Sequence, residues 1–70
     1  MANLAVQSAI DESILRNAIV HVEATPEDLE DLACECDDSV SDGPVTEFWG
    51  ADDDGRAWRV HATAQGVERG

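Results

Sequence analysis

The sequence predicts an α+β fold: a small three-stranded antiparallel or mixed sheet with two helices, in the order α-β-α-β-β. Apolar residues recur at three- and four-residue spacing in two stretches, 3–16 and 26–36, which is the period of an amphipathic helix. β-Branched and aromatic residues punctuated by polar ones mark three further stretches, 18–24, 45–49 and 57–63, as strands. A length of 70 residues limits the core to one modest cluster, and 43% apolar residues lift the chain above the disordered class despite its charge.

In the first helix Val6, Ala9, Ile10 and Ile14 share a face, and Asn17 is placed to close the helix in a left-handed cap. Ser8 with Asp11 offers a rival start, with residues 3–7 extended, but the apolar period favours the longer helix over 3–16. Residues 18–24 follow as a half-buried strand with Val20 and Val22 on one face and His21 and Glu23 on the other. The second helix has the sharpest boundary in the chain. Thr25 supplies an N-cap hydroxyl, Pro26 suits the first helical position, and Glu27 and Asp28 meet the positive end of the helix dipole.

On that second helix Leu29, Leu32, Ala33 and Cys36 form an apolar stripe, opposite Glu27, Glu30, Asp31, Cys34 and Glu35. A polar loop is expected over 37–43. A hairpin then joins the strands 45–49 and 57–63 around Asp52, Asp53, Asp54 and Gly55, with Phe48 facing away from Trp49, and Trp58, Val60 and Ala62 sharing one side. The organisation is one compact domain over 1–64 with a frayed tail over 65–70.

Charge dominates the chemistry. Sixteen Asp and Glu stand against four Arg and no Lys, a formal net charge of -12. Thirteen of these acids fall between Glu23 and Asp54, and no basic residue lies between Arg16 and Arg56. Such a chain repels nucleic acid and anionic membrane, so direct nucleic-acid binding and membrane attachment are not expected. No apolar run has membrane-spanning length and no secretory leader is visible, which makes the cytoplasm the expected compartment.

Catalytic constellations are thin, and no enzyme activity is expected. Both histidines, His21 and His61, lie in strands without a neighbouring loop nucleophile, and neither a phosphate-cradling glycine loop nor a hydrolase elbow is present. Cys34 and Cys36 are spaced to point in nearly opposite directions on a helix and have no second pair, so no metal site is assigned to them. Asp52, Asp53, Asp54 and Gly55 resemble part of a calcium loop but lack its closing bidentate Glu, and turn chemistry accounts for them. No cofactor is expected.

The acids are more informative. Glu27, Glu30, Asp31 and Glu35 sit at helical spacing, where neighbouring like charges repel and weaken the helix. Asp37, Asp38 and Asp42 continue the strip, and Asp52, Asp53 and Asp54 form a second cluster. Repulsion with no internal basic partner is expected where the compensating cations belong to another molecule. These ten residues are therefore the expected partner-binding surface, and the partner a basic nucleic-acid-binding protein from which a monomeric acidic inhibitor excludes DNA.

In size, unpaired acidity and a β, α, β, β segment through 25–30, 45–49 and 58–62, the chain resembles the small anti-CRISPR proteins of phages and mobile elements. The resemblance covers most of the chain and is carried by charge and element order, not by a shared motif. It implies a CRISPR effector as partner, of the multisubunit (type I) surveillance class, with the acids blocking target DNA in a host cytoplasm. Two other readings stand beside it. One is a halophile-type acidic cytosolic interaction domain or antitoxin whose charge serves solubility. The other is a small metal-binding or redox protein using Cys34 and Cys36.

Overall fold

The computed structural model describes residues 3–64 and shows an α+β architecture with two helices and a four-stranded mixed sheet. The elements are α1 (Leu4–Arg16), β1 (Val20–Ala24), α2 (Pro26–Glu35), β2 (Asp38–Asp42), β3 (Val45–Ala51) and β4 (Ala57–Ala64). The tail expected over 65–70 lies outside the described residues.

The strand order is β1-β4-β3-β2. β1 runs parallel to β4, with Val20 opposite Val60 and Val22 opposite Ala62. The pairs β3–β4 and β2–β3 are antiparallel. Because β1 and β4 are parallel neighbours, the intervening chain must cross the sheet, and α2 makes the first part of that crossing before β2 returns along the far edge.

β2 corrects the expected polar loop over 37–43, the three-strand count and the element order. Asp38, Val40 and Asp42 alternate with Ser39 and Ser41, and Gly43-Pro44 makes a two-residue turn back into β3. Gly43 sits at φ 63°, a left-handed conformation that costs glycine nothing and that hairpin turns require at this position. Every residue of β2 is exposed. With one Val among four polar residues, the segment buries too little apolar surface to announce itself as a strand. Its backbone ladder with β3 holds it instead.

Both helices pack on one sheet face. Val6, Ala9 and Ile10 of α1 and Leu32 of α2 meet Ala24, Phe48, Trp58, Val60 and Ala62 in a single buried cluster. Leu29 and Cys36 extend the α2 stripe as half-buried residues, while Ala33, expected on that stripe, is exposed. The other sheet face carries His21 and Glu23 of β1, Arg59, His61 and Thr63 of β4, Val45, Glu47 and Trp49 of β3, and Asp38, Val40 and Asp42 of β2, following the two-residue side-chain alternation through the strand registers.

The helix ends follow the chemistry of their caps. Asn3 caps α1 by accepting the Val6 N–H on its Oδ1 at 2.9 Å, and Asn17 closes it at φ 53°, ψ 48°. Thr25 and Asp28 form a reciprocal capping box on α2. The Thr25 hydroxyl accepts the Asp28 N–H at 3.1 Å, and Asp28 Oδ2 accepts the Thr25 N–H at 3.1 Å.

Candidate functional site

The ten expected partner-binding acids lie on α2, on its exit, on β2 and in the β3–β4 turn. Glu27, Glu30 and Glu35 are exposed on α2, and Asp37, Asp38 and Asp42 are exposed along the exit and the edge strand. Asp53 and Asp54 are exposed at the turn, whereas Asp31 and Asp52 are half-buried. α2 ends beside β3, where the Asp37 N–H donates to the Trp49 carbonyl at 2.8 Å. Asp38 then pairs in register with Trp49 of β3, three residues before Asp52 in the turn, so the α2 exit and the turn lie towards the same end of the sheet.

Among the described residues, none of these ten carboxylates is paired with an Arg or His. The ion pairs among the described residues are Arg16–Glu12 at 2.8 Å on α1 and Arg59–Glu47 at 3.1 Å on the open sheet face, where His61 Nε2 also lies 3.6 Å from Glu47. Arg16 and Arg59 are thus committed to glutamates outside the ten.

Not all ten acids are equally free. Asp52 organises its own turn: Oδ1 accepts the Asp54 N–H at 3.0 Å and the Arg56 N–H at 2.7 Å, while Gly55 takes φ 83°. Asp38 Oδ1 accepts the adjacent Ser39 N–H at 2.8 Å. Asp31 reaches across to α1, where its Oδ2 accepts the Asn3 N–H at 3.2 Å, and Asp28 accepts the Asn3 side-chain amide.

That last arrangement has an electrostatic origin. α1 has no acid in its own first turn, yet its positive end lies against the positive end of α2. Asp28 and Asp31, both on α2, place carboxylates between the two helix ends and satisfy donors from each. The Asn3 amide and the Thr25 N–H hold the Asp28 carboxyl below its ordinary pKa. Part of the acidity that the sequence presents as one outward strip is therefore structural.

The two histidines meet across the β1–β4 pair. His21 is opposite His61 in register, with ring centroids 5.1 Å apart and planes at 88°. His61 Nε2 is buried without a hydrogen-bond partner, with Glu47 Oε1 just beyond reach. Cys34 is exposed and Cys36 half-buried, both as free thiols. Burial, with Asp38 and Asp37 nearby, pushes the Cys36 thiol up. Among the described residues no three His, Cys, Asp or Glu side chains gather into a group that could hold a metal ion, and no helix is long and apolar enough to cross a membrane.

Fold and surface together define a small α+β protein whose exposed acids fall on two sides of the sheet: those of α2 on the helix-covered side, and Asp38 and Asp42 of β2 on the open face. No protein-family model, curated protein or solved structure matches the chain.

Sequence reasoning placed Asp28 in the first turn of α2 but missed its bond to Asn3, and it missed Ser13 and Asn3 as fixing residues. Asn3 had a readable signal, because it stands at the start of an apolar-periodic run where a cap is needed.

Proposed function

We propose that this protein is an acidic inhibitor that occupies a basic nucleic-acid-binding surface of another protein and thereby excludes DNA. The observation that supports this reading is the lack of Arg or His pairing, among the described residues, at all ten carboxylates of α2, its exit, β2 and the β3–β4 turn. Proteins that grip duplex DNA line their grooves with Arg and Lys against about one phosphate charge per 1.7 Å of axis. Rows of unpaired carboxylates compete for such a groove, and opposite charge speeds their arrival. The resemblance to small anti-CRISPR proteins narrows the proposed partner to a multisubunit CRISPR surveillance complex.

The test is competition between this protein and target DNA for a purified multisubunit complex, at low and at high ionic strength. Displacement of DNA at low salt that fades as salt rises is the expected result. Glu27, Glu30 and Glu35 together exchanged for Lys should abolish it with the fold intact, and Asp31 is spared because it ties α2 to Asn3. Failure to displace DNA at low salt rejects the CRISPR target. Displacement by the triple variant as strong as by the native protein rejects the α2 surface.

A second reading has its own supporting observation. The basic complement is entirely Arg, and exposed acids also occur outside these ten, at Asp11 on α1 and Glu23 on β1. This distribution suits a salt-adapted interaction domain. Its mark is a melting temperature that climbs into molar salt as self-repulsion is screened, whereas the inhibitor folds fully in ordinary buffer.

A further inference from the structure

We propose that the outer edge of β2 accepts an extended basic segment of the partner as an added strand, an inference that rests on the inhibitor reading above. β2 is a terminal strand of the sheet, and all five of its residues are exposed. The Ser39 N–H is not spent on β3: it donates to the neighbouring Asp38 carboxylate at 2.8 Å. Backbone groups of an antiparallel strand alternate in direction, so the Ser41 N–H shares the outward side with that of Ser39. A terminal strand with outward donors is a template for another strand.

Charge selects the occupant. Asp38, Val40 and Asp42 project on the open sheet face at successive alternate positions, with Val40 exposed at 55%. A matching strand carries Lys or Arg opposite Asp38 and Asp42 and an apolar residue opposite Val40, because directly opposed side chains lie about 4.5–5.5 Å apart. A second copy paired symmetrically about Val40 does not fit. Antiparallel pairing of β2 with itself about Val40 sets Asp38 of each copy against Asp42 of the other, and like charges directly opposite are destabilising. On strand addition Asp38 exchanges the Ser39 N–H for a basic side chain, leaving that donor for the incoming carbonyl.

The experiment titrates the isotopically labelled protein with a capped peptide built on an Arg-Thr-Val-Thr-Arg core, at low ionic strength, following amide exchange at Ser39 and Ser41. Two further peptides carry backbone N-methyl groups on alternate residues, one on each edge of the strand. Added-strand binding protects both amides and is abolished by one methylation pattern but not by the other. Ser41→Pro, which removes an outward N–H at a position an edge strand tolerates, weakens binding about tenfold while tryptophan fluorescence reports an intact fold. Equal binding by all three peptides overturns the edge mode and leaves the charge-based inhibitor reading standing. Binding by none of them overturns the edge mode, and the DNA-displacement test decides the inhibitor reading separately. Concentration-dependent protection of Ser39 and Ser41 without peptide assigns the edge to a second copy and overturns the proposal.

Discussion

The Ser13 hydroxyl on α1 accepts the backbone N–H of Arg59 on β4 at 2.9 Å. The same oxygen lies 2.7 Å from the Ala18 carbonyl and 3.1 Å from the Arg59 carbonyl, between which it shares its one proton. Among the described residues Ser13 is the buried polar side chain of the core, only 2% exposed. β1 begins to pair with β4 at Val20–Val60, so the Arg59 backbone just below that point lacks a strand partner on the β1 side. The hydroxyl stands in for the missing strand and fixes where α1 meets the sheet.

Ser13→Ala should therefore destabilise the protein by about 1–3 kcal/mol, the cost of leaving a buried donor unpaired. Urea unfolding followed by tryptophan fluorescence measures it. A change within experimental error would mean that water reaches the Arg59 backbone.

Gly50 presents a second close fit. A Cβ at this position would lie 3.0 Å from Trp58 Cζ2 and 3.2 Å from the Asp37 backbone nitrogen. Neither the packed indole nor the start of β2 can retreat cheaply, so Gly50→Ala should cost about 1–3 kcal/mol through overpacking. Thermal melts of the two proteins test this, and an unchanged midpoint would show that the α2 exit shifts freely.

Trp58 is 4% exposed within the main cluster, whereas Trp49 is half-buried on the open face. Trp58→Ala should cost about 3–5 kcal/mol. Trp49→Ala should cost clearly less, because its site borders solvent and leaves no closed cavity. Parallel chemical denaturation of the two variants decides between them, and equal losses would place Trp49 in the core as well.

Much of the fold was legible in the sequence because hydrophobic period and cap chemistry agree. Val6, Ala9 and Ile10 face inward as their spacing requires, Thr25 and Pro26 start α2, and Trp58, Val60 and Ala62 share the buried side of β4. β2 escaped because its strand state comes from pairing with β3, a non-local cause that an exposed Asp-Ser-Val-Ser-Asp run does not encode in hydrophobicity. Its readable trace was the two-residue Gly43-Pro44 spacing between alternating segments. The acidic strip was legible as composition, but the diversion of Asp31 to Asn3 was not. It depends on Asn3 and Asp31, 28 residues apart in sequence, being brought together by the fold.

That meeting of helix ends yields a pH-dependent prediction centred on Asp28. Its carboxylate serves the cap of α2 through the Thr25 N–H and the cap residue of α1 through the Asn3 amide, and these bonds lower its folded pKa. A group whose folded pKa lies below the unfolded value, about 3.9, contributes its stabilisation above that value and loses it as pH falls through the folded one. Asp28→Ala should thus cost about 0.5–2 kcal/mol at neutral pH, the range for a lost cap. The difference between native and variant proteins should hold down to about pH 4 and narrow below it. Comparing the two cancels the relief of self-repulsion as the other carboxylates protonate in both. Paired denaturant titrations from neutral pH to about pH 2 measure the gap, and a gap that stays constant over the whole range would show that Asp28 acts through packing, not through its charge.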